Sequence, residues 1–217
     1  MEFMGFFGLF AAMGLTACAV EAHNQKRGRT LAFAAMGDDN DIKIAGEAPK
    51  QTGFSEELER LAALAKTEHD NGNIQRAKRL AVTLVDTVFT HDIFTDKIED
   101  EHLRLQIRLL ITFTFDICMD NGLPNQIIAQ TAQNLYYEQI NLRKRAFYDE
   151  IQTSGAFSMY LLCTRSESAN STTIGEEFAT LCGKDRDGEY IKLGRDIFEY
   201  YLKLCADKIK AAEFVTT

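Results

Sequence analysis

Apolar positions through residues 54–214 recur at intervals of three and four, the spacing that lays a stripe along one face of a helix. Leu58, Leu61, Ala62 and Ala65 open the pattern, and Ser55 with the acids Glu56, Glu57 and Glu59 supplies the cap and first-turn charge that suit a helix start. DNGN at 70–73 closes this helix with a turn. The next one carries Ile74, Ala77, Ala81, Leu84, Val85 and Val88 on its inner side, so 58–89 reads as an antiparallel helical hairpin.

Strand competes with helix at LRLQIRLLITFTFDI, 103–117, where apolar and polar residues alternate in two short runs. Leu109, Leu110 and Ile111 break the alternation, and 96–120 contains neither Gly nor Pro. Arg104, Arg108, Thr112 and Asp116 repeat every four residues, which on a helix makes a narrow, slowly drifting polar stripe. The expectation is a central helix buried nearly all round.

Asn121-Gly122 ends it, and Pro124 sits where a first-turn proline is welcome. A long helix is expected over 124–151 with Ile128, Ala132, Leu135, Leu142 and Ala146 inward, then a shorter one after Ser154-Gly155. TRSESANSTT at 164–173 reads as a polar surface loop, and Thr173 as the cap of a short helix. Gly183 suits a left-handed stop and Asp187 the cap of a last helix. The fold class is therefore all-α, a compact bundle or array of about seven helices.

Composition agrees. Two prolines and no tryptophan in 217 residues fit a helical chain, because proline is the residue that most often ends helices. A formal charge of -8 argues against a nucleic-acid partner, whose phosphates are met by Lys and Arg. Cys18, Cys118, Cys163, Cys182 and Cys205 are odd in number and have no CxxC, so the last four read as reduced core residues, not a disulfide frame or metal site.

The start of the chain differs from the body. Residues 1–20 are an apolar segment whose only charged side chain is Glu2, and 21–53 form a polar linker that opens with Lys26, Arg27 and Arg29. LTAC at 15–18 resembles the lipobox of bacterial lipoprotein precursors, which implies lipidation at Cys18 and a body anchored outside the cytoplasm. Residues 1–17 lack Lys and Arg, however, and the positive cluster follows the apolar run, which favours a cytoplasmic body with membrane contact through 1–20. An extended start, with Met4 or Met13 as initiator, or an apolar tail packed on the body, is the third reading.

Leu61, Leu64, Ala65, Gly72, Ala77 and Ala81 resemble the spacing of one tetratricopeptide-type hairpin, a family that binds peptides. Glu68, Leu84 and Phe89 depart from that family's aromatic, alanine and proline, and no second copy is visible.

Motifs for chemistry are sparse. Glu99 and His102 form one ExxH where a di-iron bundle needs two, and DRDGEY at 185–190 puts glycine at both end positions of a calcium loop. HExxH, GxSxG, P-loop and GxGxxG patterns are absent from the sequence, so no cofactor is expected. Two groups remain as an interaction surface or pocket: the stripe Arg104, Arg108 and Asp116, and the basic triplet Arg143, Lys144 and Arg145. With Tyr136, Tyr137, Tyr200 and Tyr201 as aromatics that suit either an exposed face or the core, the leading expectation is a non-enzymatic protein–protein interaction module whose partner is another protein. The alternative is a small-molecule-binding or catalytic helical bundle.

Overall fold

Every described element is helical. A computed structural model describes residues 52–90, 98–165 and 170–216, and those residues contain no strand. In chain order the helices are α1 (Thr52–Asp70), α2 (Asn73–Thr90), α3 (Glu101–Gly122), α4 (Gln126–Arg143), α5 (Arg145–Thr153), α6 (Ala156–Arg165), α7 (Ser171–Leu181) and α8 (Gly188–Ala211). The chain divides into two units, Met1–Leu64 and Ala65–Thr217. Residues 1–51, with Cys18 and the apolar segment, lie outside the described residues. No described helix is long and apolar enough to cross a membrane.

In the first unit the described residues are the opening turns of α1, where Leu58 and Leu61, expected to face inward, are 51% and 49% exposed. In the second unit α3 is the central element and packs against α2, α4, α6, α7 and α8. Its sequence explains this position: Ile107, Leu109, Leu110, Ile111, Phe113 and Phe115 point in successive directions, and all are buried. Rings lock the layers, with Phe113 tilted on Tyr160 at 5.2 Å between centroids and Phe115 edge-on to Tyr201 at 5.6 Å.

Helices α7 and α8 approach until backbone meets backbone. A Cβ on Gly175 would stand 2.3 Å from the Ile191 carbonyl oxygen, and one on Gly194 would stand 2.6 Å from Phe178 Cβ. Glycine is needed at both positions for space, not for conformational freedom.

Several local expectations are corrected. The helix expected over 124–151 is two helices, because Lys144 adopts φ -154 and ψ 75. Lys144 ends α4 by donating its N–H to Ile140, and starts α5 by accepting from Phe147 and Tyr148. The change of direction buries Phe147 and Ile151, brings Phe147 edge-on to Phe89 at 5.9 Å, and leaves Leu142 and Ala146 outside. Asn125 caps α4, its side chain accepting from the Ile128 N–H at 3.2 Å, so Pro124 precedes the cap and is not in the first turn as expected. Asn170 likewise caps α7 by accepting from the Thr173 N–H at 2.9 Å, the role expected of Thr173 itself. Gly183 (φ 67) and Asp187 act as expected.

Candidate functional site

The start of α3 is fixed by Asp100, whose carboxylate accepts from the N–H groups of His102 (2.9 Å) and Leu103 (3.2 Å). His102 also has Nε2 3.1 Å from the Leu181 carbonyl oxygen, so the ExxH histidine ties α3 to the end of α7. Among the described residues no group of three or more His, Cys, Asp or Glu is placed to hold a metal ion.

Over the first two turns of α3, Glu101, Arg104, Leu105 and Arg108 form one wall of a groove of about 500 Å³. The α4–α5 break supplies the other wall with Lys144, Ala146, Phe147 and Glu150. Two clusters far apart in sequence thus meet: Arg104 and Arg108 from the polar stripe, and Lys144 from the basic triplet. Three cations against Glu101 and Glu150 leave a small positive excess over a floor that includes the buried ring of Phe147. Arg104 Nη2 lies 3.6 Å from Glu101 Oε1, an exposed pair worth well under about 1 kcal/mol that yields readily to a competing anion.

Asp116 does not belong to this groove. A four-residue repeat drifts about 40° per step around an α-helix and rises about 6 Å, so three steps carry Asp116 roughly 18 Å along and a third of the way around from Arg104. There it meets α4. Gln133 Nε2 donates to Asp116 Oδ1 at 3.0 Å, and the Tyr137 phenol also bonds the carboxylate. Burial dominates over these bonds and, with the Asp120 charge nearby, pushes the Asp116 carboxyl up to about 6.

Between the two ends of the stripe, Thr112 is fully buried beside Tyr136. Neither hydroxyl makes a well-formed hydrogen bond with a described residue, and burial raises the Tyr136 phenol well above 10.0. Of the four tyrosines open to either reading, Tyr136 and Tyr201 are core residues, Tyr137 is half-buried and Tyr200 is exposed.

The rest of the triplet parts company. Arg143 forms an ion pair with Asp86 of α2, while Arg145 sits exposed at the first position of α5. Cys118 and Cys205 are core residues as expected, whereas Cys163 and Cys182 are half-buried.

A second polar centre forms around Glu68, which the sequence marks only as a departure from the tetratricopeptide spacing. Glu68, only 1% exposed, accepts from Asn73 Nδ2 (2.5 Å) and from Asn125 Nδ2 (2.8 Å). The signal was present in the sequence, since a glutamate sits in register with Leu61, Leu64 and Ala65 where a helical stripe calls for an apolar residue.

No protein-family model matches the chain, and comparison with curated proteins and with solved structures gives no match.

Proposed function

We propose that the chain is a non-enzymatic helical interaction module that takes an acidic, part-apolar segment of another protein into the groove between α3 and the α4–α5 break. The supporting observation is the convergence of Arg104, Arg108 and Lys144 over Leu105 and the Phe147 ring in a groove of about 500 Å³. Cations at the rim select for carboxylates and steer them in, and the apolar floor supplies contact area. A chain of net charge -8 repels acidic partners over most of its surface, so such a segment is held only where cations cluster.

The test is an array of labelled Asp/Glu/Leu peptides beside the same peptides with Lys in place of the acids. Acidic members should bind, more weakly as salt rises, and the double variant Arg104→Glu, Lys144→Glu should lose tenfold or more in affinity. Arg108 is left in place. Retention of every acidic peptide by the double variant, or no acidic binder in the array, would sink the reading. A thermal-shift response to small anionic metabolites that the same variant abolishes, with no peptide bound, would instead favour a small-molecule site.

A further inference from the structure

We infer that the cleft between α2 and the C-terminal end of α8 is a second, separate site that binds the phosphate group of a small soluble compound. Arg76, Arg79 and Thr83 line it from α2, and Lys208, Ala211 and Ala212 from the end of α8, around about 570 Å³. Three cations face one carboxylate, Glu213, in a chain that carries 24 basic against 32 acidic residues overall. That local inversion of charge is the first reason to look here.

How the cations are held is the second. Arg76, one of the lining residues, is anchored, its Nη1 donating to the Asn71 carbonyl oxygen at 2.6 Å. Arg79 and Lys208 make no ion pair with any described residue. The negative end of the α8 dipole favours Lys208 where it stands, but that effect falls off within one turn and does not reach Arg79 on the neighbouring helix. Two unneutralised cations across a cleft from each other repel, and a multivalent anion between them turns the repulsion into attraction.

Size and polarity narrow the ligand. Apart from the stem of buried Leu80, the apolar lining is the two alanines, which leave room but offer no aromatic or branched surface. The α3–α5 groove has Phe147 and Leu105 at its base; this cleft has only charge and space. A compact oxyanion fits that chemistry, and guanidinium and ammonium groups together are the usual recognition set for phosphate.

Inorganic pyrophosphate is the probe, added to the full chain at constant ionic strength while the unfolding temperature is followed. A saturable rise on the order of a few degrees is expected. It should vanish in the double variant Arg79→Gln, Lys208→Gln and persist in Lys210→Gln, which removes a cation from the same helix outside the cleft. Arg76 is spared because its bond to Asn71 is structural. A rise that never saturates, no rise at all, or one equal in the wild type and the double variant would overturn the proposal. Loss of retention on phosphatidylglycerol vesicles by the double variant, without any pyrophosphate response, would also overturn it by assigning the cations to a lipid headgroup.

Discussion

Asn73 grips the backbone of Val215 from both sides, its Nδ2 donating to the Val215 carbonyl oxygen at 2.8 Å and its Oδ1 accepting from the Val215 N–H at 2.9 Å. The same Nδ2 reaches Glu68, so one fully buried amide at the start of α2 ties the C-terminal tail to the last turn of α1. Replacing it by leucine keeps the bulk but leaves the Glu68 carboxylate with one fewer donor and strands two backbone groups. Asn73→Leu should therefore cost about 2–4 kcal/mol in urea unfolding. The Val215 amide should lose its protection from hydrogen exchange ahead of the rest of the protein. Full protection of that amide in the variant would refute the clamp.

Asp116 predicts an unusual pH dependence. Its folded-state value of about 6 lies above the ordinary 3.8, so the native state holds the proton more tightly than the unfolded chain does. Its contribution to stability is thus largest in acid and falls as pH rises from about 4 to about 6, after which it stays flat, a loss on the order of 3 kcal/mol. Asp116→Asn keeps the Gln133 contact and removes the charge. The variant should unfold at higher urea than the wild type near about pH 7, and the difference should close near about pH 4. A difference independent of pH would mean that the carboxylate is well solvated in the native state.

The α7–α8 crossing sets steric exclusion against helix propensity. Alanine is favoured over glycine within a helix by about 1 kcal/mol. At Gly175 the new Cβ would press on the Ile191 carbonyl oxygen, a backbone atom that cannot swing aside. Gly175→Ala should consequently lose about 2–4 kcal/mol. Gly188, at the start of α8 with open space around its missing Cβ, is the control: Gly188→Ala should be neutral or stabilising by roughly 0.5 kcal/mol. Equal unfolding midpoints for the two variants would show that the crossing relaxes freely.

The all-α class and the central helix were legible because they depend on periodicity, which a single segment carries in itself. The run of buried residues from Ile107 to Phe115 has no other economical conformation once Gly and Pro are absent. What was not legible depended on tertiary direction. Nothing in the local chemistry of Arg143, Lys144 and Arg145 breaks a helix; the break follows from where Phe147 and Ile151 find their core. The polar stripe failed for the same reason: its regular spacing was real, but helical drift delivered Arg104 to a groove and Asp116 to the α3–α4 interface. Gly175 and Gly194 gave no pattern at all, since closeness between two helices is invisible until both are placed.

Arg143 tests the limits of the basic triplet. Its guanidinium pairs with Asp86 across α2 and α4, with 35% and 49% of the two side chains open to solvent. A pair so exposed is screened by water and salt, and holding two long side chains in register offsets much of the attraction. A double-mutant cycle of Arg143→Gln and Asp86→Asn should accordingly return a coupling below about 1 kcal/mol that shrinks further as salt is raised. Because the pair draws Arg143 toward α2, away from the groove that Lys144 lines, Arg143→Gln should also leave acidic-peptide affinity within about twofold, whereas Lys144→Glu reduces it. If Arg143→Gln weakened that binding as much as Lys144→Glu does, the cationic rim would have to extend past the α4–α5 break, with the Asp86 pair opening on contact to release Arg143 to the partner.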